Sequence, residues 1–232
     1  RGLTSTMYAT WPCPLPNGRM GEEMVLGFDA ARAQRLLVIP PLFDEANKFR
    51  HQIFEIMRRI DSREVDCFLP DLPGCNESTA DLPQQTMGQW RAAVAAAATH
   101  FRATHVLAIR SGGWLVPGDI PGWLYAPVKP RQVLRSLLRA RIIAAREAGR
   151  DETSDGLLET ARTEGIELAG WPLGAQLVRE LEAEEATPTG AQIVIEHSDV
   201  GGQPLWLRAE NDDDPEQADA LAAIVAIGIH GL

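Results

Sequence analysis

Cysteine is scarce: Cys13, Cys67 and Cys75 are the only three in 232 residues, and no two stand in a C-x-x-C pair. An odd, scattered set argues against a disulfide framework and a thiolate zinc site, and fits a reducing compartment. Positive charge is also short, with 22 Lys and Arg against 32 Asp and Glu and a formal net charge of −10. That balance disfavours nucleic acid or an anionic membrane surface as the main partner. No apolar run reaches the roughly eighteen residues that span a bilayer, and no basic-then-apolar leader opens the chain. No membrane span is expected, and the expected location is the cytoplasm. Dinucleotide fingerprint, P-loop and zinc motif are all missing, so neither cofactor nor metal is expected.

What is present reads as a single domain over residues 1–232, since 45% hydrophobic and 23% charged residues are ordinary for a folded soluble chain. Pro12, Pro14, Pro16, an Asn17-Gly18 turn signal and the β-like run 23–28 predict an antiparallel hairpin at a sheet edge. Residues 35–39 (RLLVI) and 65–69 read as buried parallel strands, each closed by proline. Between them Phe49, Ile53, Ile56, Met57 and Ile60 recur at helical spacing over residues 46–60. An alanine-rich helix over 86–101, a strand at 106–109 and a strand at 122–128 continue the alternation. Residues 132–149 form a basic amphipathic helix, 150–155 a linker, and the rhythm resumes with a strand at 165–169 and a helix at 173–186. Strands at 192–196 and 204–209 and a helix from Pro215 complete the pattern. Strand and helix alternating through short connections imply a doubly wound, mostly parallel α/β sheet. The interruption at 130–160 is where a helical cap or lid would be inserted.

The run Val106–Ile109 enters Arg110-Ser111-Gly112 with small residues, Ala108 and Gly112, on either side of Arg110. That is the pattern of the G-x-S-x-G nucleophile elbow of α/β-hydrolases, with arginine where the serine belongs. Arginine stays protonated and cannot attack a carbonyl. Ser111 stands one place too late.

Four segments in order resemble the hydrolase-like proteins associated with the exosortase A system: residues 40–50 (PPLFDEANKFR), 71–78 (DLPGCNES), 108–112 (AIRSG) and 166–173 (IELAGWPL). The resemblance implies an α/β-hydrolase fold and a link to exopolysaccharide production. The family's elbow also has arginine at its centre. This chain departs from it at Ala108 and Asn76, which replace glycines, and at Ser111, which replaces an apolar residue.

A working triad needs a base beside the nucleophile and an acid that orients the base. The loop after the last expected strand, residues 210–214 (ENDDD), has no histidine. His230 lies near the C-terminus, and His197 with Asp199 follows the strand 192–196, so Ser111, His197 and Asp199 are the candidate catalytic set for an esterase or thioesterase. In an oxyanion hole the Ser111 N–H would be one donor. Leu42 or Phe43 would be the other, because Pro41 has no N–H. Asp44 and Glu45 would oppose an oxyanion there and suit an ion pair with Arg110 instead. Asn47, Lys48 and Arg50 open the following helix, where backbone N–H groups favour anions. The preferred expectation is therefore a binding or accessory protein without the usual Ser-His pair. Arg110, Leu42, Phe43, Asp44, Asn47 and Arg50 would face a small anionic or acyl-bearing molecule; a homodimer is compatible with the composition.

Overall fold

The computed structural model describes residues 6–183, 190–208 and 212–231. β1 (Thr6–Pro14) and β2 (Met20–Phe28) pair antiparallel as the expected hairpin. β3 (Arg35–Ile39), α1 (Asp44–Asp61), β4 (Asp66–Pro70), α2 (Met87–His100), β5 (His105–Ile109) and β6 (Gly122–Tyr125) then alternate. An excursion follows through α3 (Pro130–Glu147), α4 (Ser154–Glu164), β7 (Ile166–Leu168), β8 (Trp171–Leu173) and α5 (Ala175–Ala183). The chain returns with β9 (Gln192–Ile195), α6 (His197–Val200) and α7 (Pro215–His230). The main sheet has the order β1-β2-β4-β3-β5-β6-β9, antiparallel from β1 to β4 and parallel beyond.

Every residue of β3 is buried because helices cover both faces of the parallel sheet. Leu36 and Val38 meet Phe49, Ile53 and Ile56 of α1 and Leu221 and Val225 of α7. Leu37 and Ile39 point the other way, toward Trp90, Ala93 and Val94 of α2 and the excursion helices. Side-chain alternation along one strand thus builds two cores.

Three expectations are corrected. Residues 204–209 were expected as a strand of the sheet; Leu205–Leu207 is instead one 3-10 turn, and Ala209 lies outside the described residues. A three-residue apolar run cannot form a strand without a paired neighbour, and here Trp206 stacks on Phe49 of α1 at 6.0 Å and 18°. The strand expected at 165–169 does not rejoin the sheet: β7 pairs only with β8 across Ala169 (φ 51) and Gly170 (φ 82), and such a two-residue loop with both φ positive favours a local hairpin. The linker expected at 150–155 runs into α4, whose Thr153 Oγ1 accepts the Gly156 N–H at 3.3 Å as an N-cap. Of the helix expected over 173–186, α5 accounts for Ala175–Ala183, and residues 184–186 lie outside the described residues. Among the described residues no helix is long and apolar enough to cross a membrane.

Candidate functional site

β5 runs into a tight 3-10 turn, Arg110–Leu115, and Arg110 takes φ 54. A left-handed conformation costs a non-glycine residue about 1–3 kcal/mol and is kept where the surroundings enforce it. A Cβ on Gly112 would lie 2.6 Å from the Ile39 carbonyl oxygen and 2.7 Å from that of Pro40, so the turn packs backbone against backbone. The turn thus has the left-handed centre and close glycine packing expected of a nucleophile elbow, with arginine at its centre. Three further non-glycine residues with positive φ gather around it: Phe43 (φ 59), Ala126 (φ 44) and Ala169 (φ 51).

The Arg110 guanidinium is held on every side. Its Nε and Nη2 donate to the two carboxylate oxygens of Glu45, each at 3.0 Å. Its Nη1 donates to the Ala126 carbonyl at 2.9 Å, and its Cζ lies over the Trp206 ring, 4.1 Å from the ring centre. A side-on fork to a carboxylate with an aromatic face beneath it is arginine's strongest recognition geometry. Trp206 also meets Phe49, Tyr125 and His197, so the stack is anchored to α1, β6 and α6.

Ser111 is buried, and its Oγ accepts the Leu42 N–H at 2.8 Å. Leu42, one of the two donors expected for an oxyanion, is therefore spent on Ser111. His197 is engaged at both nitrogens. Nε2 lies 3.2 Å from the Gly202 carbonyl oxygen, which can only accept, so Nε2 bears the proton. Nδ1 is then left to accept from the Tyr125 hydroxyl at 2.8 Å. Burial pushes the Tyr125 phenol up to about 12, the Arg110 charge opposing, and keeps it a neutral donor at pH 7. Asp199 Oδ2 accepts the Glu196 N–H at 2.9 Å, so this carboxylate caps α6 rather than orienting the imidazole. The expected Ser111–His197–Asp199 set is thus three separately satisfied groups. His230 is no closer to the elbow: it bonds the Arg63 carbonyl at 2.9 Å, beyond the far end of α1, an 18-residue helix about 27 Å long.

Around Arg110 opens a cavity of about 640 Å³. Leu42, Phe43, Asp44 and Glu45 form one wall, α3 contributes Val133 and Leu137, and Trp206 and Leu207 close the side. Lys48 lines it too, paired with Asp44 at 3.0 Å. Two residues expected there are elsewhere: Asn47 does not line the cavity, and Arg50 turns to Asp71 at 3.8 Å. The helical period explains both, because only Asp44, Glu45 and Lys48 share the cavity face of α1. Sequence reasoning missed Trp206, Ala126 and Tyr125. Trp206 sat in a run that resembled a strand, and Ala126 acts through its backbone, which leaves no mark in residue type.

Beside the cavity the turn 71–78 holds two buried carboxyls. Asn76 Nδ2 donates to Asp71 Oδ1 at 2.8 Å, and the Ser78 hydroxyl donates to Glu23 Oε1 at 2.8 Å. Burial raises the pKa of Glu23, the Ser78 bond opposing and the Asp71 charge adding. Burial likewise raises that of Asp71, against Asn76 and Arg50. Asn76 adopts φ 50, a left-handed conformation that asparagine tolerates better than most residues. Among the described residues no cluster of three or more His, Cys, Asp or Glu side chains could hold a metal ion.

No protein-family profile and no curated protein matches the chain. Solved structures do. The α/β-hydrolase domain-containing protein 10 of mouse superposes with a TM-score of 0.56 at 12% identity, over 98% of this chain and 99% of that one. The bottromycin epimerase BotH, solved with bottromycin A2, superposes with a TM-score of 0.50 at 13% identity, over 96% and 99%. At such identities the likeness establishes the fold alone. The fold is that of the α/β-hydrolases, with a helical cap between β6 and β9.

Proposed function

We propose that this chain is a non-hydrolytic binding or accessory protein on an α/β-hydrolase scaffold, taking a small anionic or acyl-bearing molecule into the cleft around Arg110. The observation that carries this reading is the occupant of the elbow: a permanently charged guanidinium stands where a nucleophile would, and the adjacent serine spends its hydroxyl on the Leu42 N–H. A cavity of about 640 Å³ is in the size range of small-ligand sites. Its walls combine apolar side chains from the cap with two ion pairs, Arg110–Glu45 and Lys48–Asp44, on which the negative end of an amphiphile would compete for a cation. A fold is not an activity, and BotH is described as an epimerase rather than a hydrolase. The resemblance of four segments to exosortase-associated proteins supports a role in exopolysaccharide metabolism. Three free cysteines are compatible with the cytoplasm.

The test is intact-mass labelling with a fluorophosphonate on the native chain and on Ser111→Ala, alongside calorimetric titration of octanoate and octyl phosphate into the native chain and Arg110→Met. The expected result is no adduct on either protein and anion binding that Arg110→Met abolishes. An adduct that vanishes in Ser111→Ala would overturn the reading in favour of a serine esterase.

A further inference from the structure

The partner of Arg110 is itself informative about the ligand. Glu45 places its two oxygens at equal 3.0 Å distances from Nε and Nη2, the position a planar carboxylate from solution would take. Nothing else on the guanidinium depends on Glu45: the Ala126 carbonyl fixes Nη1, and Trp206 fixes the plane. The fork would stay aimed into the cavity if the glutamate moved away. Glu45 stands on the first turn of α1 on the cavity wall and is 21% exposed, against 11% for Arg110, so its carboxylate has solvent to turn into. Lys48, three residues along the same face, is already paired with Asp44 at 3.0 Å, so the displaced carboxylate would turn to solvent.

We propose that Glu45 is a built-in stand-in for a ligand carboxylate, and that the cleft binds carboxylate-bearing molecules with an apolar body by exchanging them for Glu45 on Arg110. This deepens the binding reading above and rests on it. The ligand's two oxygens take the bonds that Glu45 gives up, and its apolar part lies against Val133 and Leu137 of α3. A carboxylate is favoured over a phosphate for two reasons. A tetrahedral group puts an oxygen out of the guanidinium plane, toward the indole of Trp206. Asp44 at the same wall also opposes a second negative charge. Exchange makes the native protein a deliberately weak binder, since a ligand meets a free fork only in the fraction of molecules whose glutamate has left.

The test is calorimetric titration of octanoate, octyl phosphate and octanamide into the native chain and Glu45→Gln, with circular dichroism to show that the variant folds. If Glu45 holds the fork nine-tenths of the time, its removal tightens octanoate about tenfold; octyl phosphate should gain much less and octanamide nothing. Equal gains for octanoate and octyl phosphate would overturn the carboxylate assignment and leave the cleft as a general anion site. A folded Glu45→Gln with unchanged or weaker octanoate binding would overturn exchange. No binding of either anion to either protein would overturn the cleft reading itself. A second variant gives an independent readout: acetate should raise the melting temperature of Glu45→Ala by filling the vacated place. The native chain should not respond, nor should sulfate at equal ionic strength reproduce the effect. A Glu45→Ala protein indifferent to acetate would overturn the stand-in.

Discussion

On the non-hydrolytic reading proposed above, Arg110 puts a guanidinium where an elbow would carry a nucleophile, and Glu45 pairs with it. Restoring serine is therefore expected to leave the protein without a hydrolase activity. Arg110→Ser should hydrolyse p-nitrophenyl butyrate no faster than buffer does, because both nitrogens of His197, the candidate base, are engaged by Tyr125 and Gly202 and not free to activate a hydroxyl. The same substitution strips Glu45 of a bidentate partner and should cost about 1–3 kcal/mol in urea denaturation. Catalytic turnover by Arg110→Ser would show that the histidine is free to move. Gly112→Ala tests the elbow's backbone. Its methyl would meet two carbonyl oxygens below 3 Å, and overpacking of that kind costs about 1–3 kcal/mol; a variant as stable as the native chain would mean the turn can open.

Two elements meet at the turn after β4, where Glu23 of β2 faces the segment 71–78. Both Glu23 and Asp71 have raised pKa values from burial, so the folded chain binds their protons more tightly than the unfolded chain does. What these two groups contribute to stability is then largest below the ordinary carboxylate range near pH 4. That contribution falls as pH rises through the raised values and stays lower above them. Glu23→Gln keeps an acceptor for Ser78 and removes the charge. Its melting temperature should exceed that of the native chain at pH 7, with the advantage shrinking toward pH 4 in scanning calorimetry; a less stable variant at pH 7 would contradict the account. The cap makes its contribution through α3. Val133→Trp should fill the cavity and abolish octanoate binding while leaving the far-ultraviolet circular dichroism unchanged.

At the scale of the whole molecule, two cores on opposite faces of one sheet protect all three thiols. Cys13 and Cys67 are buried and Cys75 partly so. Burial raises Cys13 and Cys75 to about 12, and Cys67 lies well above its ordinary value. Only a thiolate reacts readily, so a thiol reagent at pH 8 should modify the folded protein slowly and all three cysteines rapidly in guanidinium. A fast equivalent in the folded state would place one of them at an opening segment.

The sequence by itself determined the buried strands at the centre of the sheet and their parallel direction. Five-residue apolar runs such as RLLVI, stopped by proline, form buried strands in any context that covers both faces, and Phe49, Ile53, Ile56, Met57 and Ile60 could share only one side of a helix. It also determined that Arg110 sits at the elbow and cannot be a nucleophile, because that follows from residue type and position alone. The helix α4 escaped notice because it buries only Ala161, which leaves too faint an amphipathic stripe to read. Tertiary structure alone decided what Arg110 and Ser111 do. Glu45 is 65 residues away from Arg110, and Leu42 is 69 away from Ser111. Trp206 lies beneath the guanidinium only because a run that looked like a strand folded back onto α1. Local pattern fixes which face of an element is apolar, whereas a hydrogen bond or a ring stack depends on where the rest of the chain brings its partner.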